Sequence, residues 1–310
     1  MPFDGVAKSY DRDFTDTTLG RELRARVWER LAARFSPGAR VLELNCGTGE
    51  DAAWLAARGV SVVATDGSEA MLAVARRKCR RLGSEERVHF ERLHLEEPEA
   101  DFAPASFDGA FSSFGGLNCV SDLRPLRQSL AQWLKVGAPL ILVVMGPICL
   151  WETFWHLARG RPRQAFRRWR RDGVEARIGS GTLRVYYPSP EQLARAFAPA
   201  FHVEGWQGLG VALPPSLLSR AMEKHSSLRR VVNGLAGRWP FFYLGDHYIM
   251  EMRRASRGPA GQLPSRRGKK NRILSDQRCA AVGRRAMVVG SPRSFLPGST
   301  KLVGPMGRGE

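Results

Sequence analysis

Between residues 19 and 35 the side chains Leu23, Val27, Trp28 and Leu31 recur three and four positions apart, which draws one apolar stripe along a helix. The turn "SPGAR" then opens a repeating rhythm. "RVLELN" reads as a strand, "EDAAWLAARG" as a helix, "VSVVATD" as a strand and "SEAMLAVARRKCRRLG" as a helix. Strands "RVHFERLHL" and "FDGAFSSF" follow, then the helix "DLRPLRQSLAQWLKVG", closing on Gly137, and the strand "PLILVVM". Strands that alternate with helical patterns build parallel β-α-β units with right-handed crossovers. The fold class expected is therefore α/β, a doubly wound and mostly parallel sheet with helices on both faces.

Residues 151–185, "WETFWHLARGRPRQAFRRWRRDGVEARIGSGTLRV", break the rhythm with nine arginines and an interleaved set of aromatics. The segment reads as an inserted helical cap on the open edge of a pocket. The rhythm resumes with the helix "SPEQLARAFA", for which Ser189 is the expected N-cap, and with the strands "FHVEGWQGLGV" and "HYIMEMRR", which bring the total to seven. A second helical insertion is expected at about 214–240. From Ala255 onward no period is sustained, and a segment that buries so little cannot offset its ordering entropy. The chain therefore divides into a domain over 1–254 and a basic disordered tail over 255–310.

Charge adds to this picture. The chain carries a formal +18, and residues 255–310 hold twelve Lys and Arg against two acids, more than half of the surplus. Such an excess brings nucleic acid, an anionic membrane surface or an acidic substrate into view as partners. Five separated cysteines without a CxxC pair argue against a disulfide framework or structural zinc and point to a reducing cytosol, hence a cytoplasmic location. The opening "MPFDGVAKSYDRDF" lacks the features of a signal peptide. "VGAPLILVVMGPICLW" is broken by Gly146 and Pro147 and is shorter than the roughly 20 residues of a spanning helix, so no transmembrane segment is expected.

The candidate chemistry starts at "VLELNCGTGEDA", residues 41–52. A strand that ends in a glycine turn and feeds a helix offers backbone N–H groups and a helix dipole to a ligand. "GTGEDA" satisfies the dinucleotide fingerprint, with Asp66 about 20 residues on. Three features favour S-adenosyl-L-methionine (SAM) instead. Glu43, at the strand end, would face a cationic amino group and repel a pyrophosphate. A helix of about four turns precedes the strand. In "VVATDGSEAML" Asp66 can accept from both ribose hydroxyls, while Met71 can lie near the adenine face.

These stretches resemble the class I SAM-dependent methyltransferases. "VLELNCGTGEDA" is similar to that family's first motif, "VVATDGSEAML" to its second and "FDGAFSSFGGLN" to its strand-four motif. "FDGVAKSYD" resembles the opening of the small-molecule branch, and the likeness covers about residues 3–254. It implies a Rossmann-like sheet, SAM as cofactor, and methyl transfer to a small-molecule acceptor. It also implies contacts from Glu43, Gly47 and Gly49 at the methionine end, from Asp66 at the ribose, and from Phe111 and Ser112 beside the methionine. Tyr10 is the candidate to close over the cofactor; Asn45, Gly67, Met71, His94 and Leu95 complete the candidate set.

Two positions depart from the family pattern. Asn45 replaces the usual first glycine, and asparagine, being tolerant of positive φ, is expected to keep the turn. His94 stands where many relatives carry an Asp that accepts from the adenine amino group. No catalytic residue is assigned: His156, His202, His225 and the Asp246–His247 pair lack diagnostic spacing, and His247 is as readily satisfied by Asp246. The arginine-rich cap reads either as a lid for an anionic or amphipathic acceptor or a membrane surface, or as a solvated cap whose arginine stems cover apolar surface. The acceptor atom, O, N or C, and the oligomeric state stay open. A nucleic-acid methyltransferase is the rival reading, disfavoured because no Asn-Pro-Pro-aromatic motif or RNA-binding module is present; an NAD-dependent oxidoreductase ranks lower.

Overall fold

The first strand of the computed structural model, β1 (Arg40–Glu43), lies between β2 (Ser61–Asp66) and β4 (Gly109–Ser112), parallel to both. The structure describes residues 1–170, 172–179, 181–209 and 246–256. The expected insertion at about 214–240, His225, and the tail from residue 257 lie outside the described residues.

The main sheet has seven strands in the order β3-β2-β1-β4-β5-β9-β8, where β3 is Val88–Arg92, β5 is Pro139–Met145, β8 is Phe201–Leu209 and β9 is His247–Arg254. The five strands from β3 to β5 run parallel, and β9 pairs antiparallel with both β5 and β8. "PLILVVM" is buried at five consecutive positions, as a strand covered on both faces must be. Two apolar clusters flank the sheet. One gathers Leu23, Val27 and Leu31 of α1 (Thr18–Arg34) with α2 (Glu50–Ala56) and α3 (Glu69–Arg81); the other gathers α4 (Arg124–Trp133) and α7 (Pro190–Phe197).

Local chemistry explains the helix starts. Thr17 caps α1 by accepting from the Gly20 N–H at 3.0 Å, and Ser68 caps α3 by accepting from Met71 at 3.2 Å. In α7 (Pro190–Phe197) Ser189 and Gln192 form the reciprocal capping box, and Pro190 occupies the first turn, where its missing N–H costs nothing.

The expected helical cap is only half helical. Helices α5 (Leu150–Ala158) and α6 (Pro162–Ala165) and a 3-10 turn at Arg167–Trp169 lead into an antiparallel hairpin, β6 (Val174–Ile178) and β7 (Gly181–Val185). The correction has a simple cause. "VEARI" and "TLRV" alternate with period two around a Gly-Ser-Gly turn, a hairpin signature that the arginine content overshadowed. Arg168 anchors the cap inward, with Nη2 at 2.5 Å from Glu152 and 2.7 Å from Asp246. Buried Asn118 clamps the far end, donating to the carbonyls of Met145 and Tyr186 while its own carbonyl accepts from the Tyr186 N–H.

Candidate functional site

In an open α/β sheet the strand order reverses at one place, and ligands bind in the crevice beyond the carboxyl ends there. Here that place is β1 beside β4, and a cavity of about 520 Å³ opens over it. Its lining draws on the turns after β1, β2, β3 and β4, on the N-terminal segment, and on the cap hairpin through Ile178 and Val185.

The turn after β1 is fixed by backbone hydrogen bonds. The Cys46 N–H donates to the Thr65 carbonyl at 2.8 Å, and the Gly47 N–H to Asp66 Oδ2 at 2.9 Å. Asp66 Oδ1 accepts from the Ser68 N–H at 2.9 Å, so this one carboxylate sets the mutual position of two turns. Burial pushes the Asp66 carboxyl above its ordinary range, and the two N–H donors oppose that rise. The two glycines of the turn have different tasks. A Cβ on Gly47 (φ 52°) would meet nothing within 4 Å, so its bareness serves the open cavity. One on Gly49 (φ 77°) would stand 2.8 Å from the Ala75 Cβ, so that glycine serves the packing of α2 on α3.

Asn45 corrects the expectation of a left-handed asparagine. Among the described non-glycine residues only Ala105 and Phe114 take a positive φ. Asn45 works through its side chain: Oδ1 accepts from the Ser112 hydroxyl and Nδ2 donates to the Ser113 carbonyl, which locks the end of β1 to the end of β4. Room for it comes from Gly116, where a Cβ would lie 2.2 Å from the Asn45 Cγ. The glycine missing at 45 is thus matched by a glycine at 116.

Beneath the cavity sits a dense set of charges. Arg24, from α1, donates to Asp51 Oδ1 at 2.7 Å, as does the Trp28 indole N–H. The guanidinium lies 5.0 Å from the Phe114 ring centroid, within cation–π reach. Both Arg24 and Asp51 line the cavity and both are buried. Glu43 is 1% exposed, and its Oε2 has no hydrogen-bond partner. Burial and the nearby Asp51 raise its carboxyl well above the ordinary value, and Arg24 opposes them. Glu43 and Asp51 thus share one guanidinium, with the Asp66 carboxyl close enough to act on Glu43, which leaves an excess of acid under the turn.

The N-terminal segment folds across the opening. Asp11 accepts from the Thr48 hydroxyl at 2.6 Å and pairs with Lys78 at 2.9 Å, and Asp4 accepts from the Ser68 hydroxyl at 2.5 Å. Burial alone would raise the Asp11 carboxyl, but Thr48 and Lys78 outweigh it and hold it below its ordinary value. Tyr10 lines the cavity, and burial pushes its phenol up to about 12, so it stays neutral.

Of the residues singled out from sequence, Tyr10, Asn45, Gly47, Asp66, Gly67, Met71, His94 and Leu95 line the cavity. Glu43, Gly49, Phe111 and Ser112 do not. Phe111 is fully buried, its ring 6.2 Å from that of Phe35, and Ser112 spends its hydroxyl on Asn45. The cavity lining after strand four falls instead on Ser113–Gly116, because only residues past the end of a parallel strand reach the crevice. Arg24, Asp51 and Thr48 were also missed. The "E-D" pair at the start of α2 could have signalled them, since a buried acid needs a cation. His247 is buried, with Nδ1 3.0 Å from Asp246 Oδ2, the structural reading. Burial opposes ionisation of Asp246, but His247 and Arg168 outweigh it and hold the carboxyl well below its ordinary range. Neither His156 nor His202 lines the cavity.

A family profile described as a methyltransferase domain matches residues 41–137. A demethylmenaquinone methyltransferase of Clavibacter sepedonicus is 39% identical over 140 residues, covering 45% of this chain and 55% of that protein. One from Mycobacterium marinum is 34% identical over 169 residues, or 53% and 68%. A 2-phytyl-1,4-naphtoquinone methyltransferase of Synechococcus elongatus is 33% identical over 150 residues, or 46% and 61%. The chain thus spans roughly half to two thirds of the length of these relatives. Among solved structures, an S-adenosylmethionine dependent methyltransferase from Mesorhizobium loti shares the fold with TM-score 0.50 at 19% identity, over 77% of this chain and 99% of that one.

Proposed function

The chain belongs to the class I SAM-dependent methyltransferases, and from that premise we propose that it transfers a methyl group from SAM to a small ring acceptor of quinone type. One observation carries the reading: a glycine turn open to the cavity lies above two buried acids, Glu43 and Asp51, that share one guanidinium, with Asp66 close beside them. A cationic ligand relieves that imbalance, whereas the pyrophosphate of a dinucleotide worsens it. The residues present fit SAM. Gly47 leaves backbone exposed for the methionine end, and Glu43 keeps an unpaired oxygen beneath it. Asp66 serves the ribose, with Gly67, Met71, His94 and Leu95 around the adenine, Asn45 holding the strand ends together, and Tyr10 as cover. Gly49, Phe111 and Ser112 support this set from behind. When bound, SAM supplies an activated methyl group on a sulfonium.

The remaining work of the chain is alignment and exclusion of water. Phe114, Val120, Met145, Ile178 and Val185 give the other part of the cavity an apolar lining suited to a flat ring. Relatives named for demethylmenaquinone and 2-phytyl-1,4-naphtoquinone favour such an acceptor. We assign the activity to the domain over 1–254 and place it in the reducing cytoplasm, in keeping with free Cys46, Cys79, Cys119 and Cys149. The test is methyl transfer from labelled SAM, compared between a lipid-soluble extract and total RNA. Label in the extract alone is the expected result. Label in RNA alone, or binding of NAD in preference to SAM by calorimetry, overturns the proposal.

A further inference from the structure

Nine large hydrophobic side chains stand exposed among the described residues, and five of them, Phe154, Trp155, Leu157, Phe166 and Trp169, fall within sixteen residues of the cap. Phe154 and Trp169 are 64% and 62% exposed. Basic side chains are interleaved with them along the segment. The Arg159 guanidinium lies 3.2 Å from the Trp155 ring centroid, and Arg161 and Arg163 are exposed with no acidic partner among the described residues. Glu152 is the sole acid between residues 150 and 170, and Arg167 and Arg168 already occupy it. None of these aromatics or arginines lines the cavity.

We infer that this face of the cap docks on an anionic membrane surface, with the aromatics at the boundary between headgroups and acyl chains and the arginines on lipid phosphates. Aromatic side chains with one apolar and one polar aspect settle at that depth, and each basic residue beside an anionic leaflet adds attraction. A second copy of the chain is a poor occupant, because it would bring a like-charged face against this one. A single-stranded nucleic acid would use ring stacking and charge, but it leaves Leu157 and the apolar edge of Phe154 without a role. No helix among the described residues is long and apolar enough to cross a membrane, so the contact is peripheral. The hairpin that follows the docking face contributes Ile178 and Val185 to the cavity, so docking sets the cavity near the lipid phase. That last step rests on the methyl-transfer reading; the docking does not.

The experiment is co-sedimentation of the full chain with phosphatidylcholine vesicles, with and without phosphatidylglycerol. Binding to the anionic vesicles is expected, with a drop of about tenfold or more in the double variant Phe154→Ser/Trp169→Ser. Arg161→Glu/Arg163→Glu is expected to lose binding most at low salt. SAM affinity by calorimetry, unchanged in both variants, reports that the fold is intact. Quenching of the tryptophan fluorescence of the unaltered chain by brominated lipid, reduced in Trp155→Phe/Trp169→Phe, gives an independent readout of insertion. The proposal is overturned if the unaltered chain ignores anionic vesicles, or if the serine variant binds them as tightly as the parent. It is also overturned if the variants lose affinity for an RNA oligonucleotide, or change oligomeric state, while vesicle binding stands. Vesicle binding without methyl transfer sinks the proposed activity and leaves the docking in place.

Discussion

The floor of the cavity and the outer face of the cap break opposite rules. Beneath the turn, Asp51 and Arg24 are charged groups taken out of water, with the Glu43 carboxyl buried beside them; on the cap, Phe154 and Trp169 are large apolar groups left in it. The first departure costs folding free energy and is tolerated where a cation is to be held. The second costs little in folding, because an exposed side chain has few contacts to lose, and it is informative about what the face meets. Stability should therefore be concentrated in the floor, and surface binding in the cap.

The largest expected effect tests the floor. Arg24→Met removes the one guanidinium between Asp51 and the other acids, and stranding a buried charge costs about 3–5 kcal/mol. Urea denaturation should show it, and adding Asp51→Leu should restore much of the loss. Trp169→Ser, at a side chain 62% exposed, should stay within about 0.5 kcal/mol of the parent. Equal losses at the two sites would abolish the contrast.

The two glycines of the turn divide the floor further. Gly49→Ala forces a Cβ to 2.8 Å from that of Ala75 at a left-handed φ, and the expected cost is about 2–3 kcal/mol of stability. Gly47→Ala should cost stability by strain alone, about 1–2 kcal/mol, yet lose more SAM affinity because its methyl enters the cavity. Thermal melting and calorimetry on the pair separate the two. If Gly49→Ala costs binding and Gly47→Ala does not, the assignment of tasks is reversed.

What was legible in the sequence follows the same division. Strand and helix periods, the Ser189 cap and the mostly parallel, seven-stranded character of the sheet came from local patterns, which the fold does not override. Asp66, Gly47 and Met71 could be placed at the cavity because each sits at a strand end or first helical turn. Residues whose role depends on partners distant in the chain could not. Arg24 and Asp51 meet across 27 positions, and Asn45 depends on Gly116. The cavity lining after strand four begins two residues beyond Phe111, since sequence marks the strand but not where its pleat leaves the sheet. The hairpin in the cap was missed because composition was weighed above alternation.

Asp66 comes next. Asp66→Ala removes the acceptor of the Gly47 and Ser68 N–H groups and the proposed ribose contact, so SAM affinity should fall by about 1.5–3 kcal/mol. Vesicle binding by the cap should be untouched. A parallel loss of both would mean that floor and cap act as one unit.

The smallest effect is the one with a characteristic pH signature. Burial raises the Glu43 carboxyl, so the native chain keeps a proton that the unfolded chain releases near pH 4.3. Between that value and the native one, the unfolded state binds fewer protons, and stability falls as pH rises. Glu43→Gln keeps the shape and removes the titration. It should raise stability at neutral pH by on the order of 1 kcal/mol, and flatten the fall in stability with pH; Asp66, shifted in the same direction, keeps the slope from vanishing. SAM affinity should move the other way, because the cation then meets an amide in place of a carboxyl group that gives up its proton to solvent on binding and becomes a carboxylate. Calorimetry in two buffers of different ionisation enthalpy measures that proton directly. If the parent releases none, or if Glu43→Gln destabilises the chain at neutral pH, Glu43 is an ionised partner of Arg24 and the acid excess beneath the turn is already neutralised without a ligand.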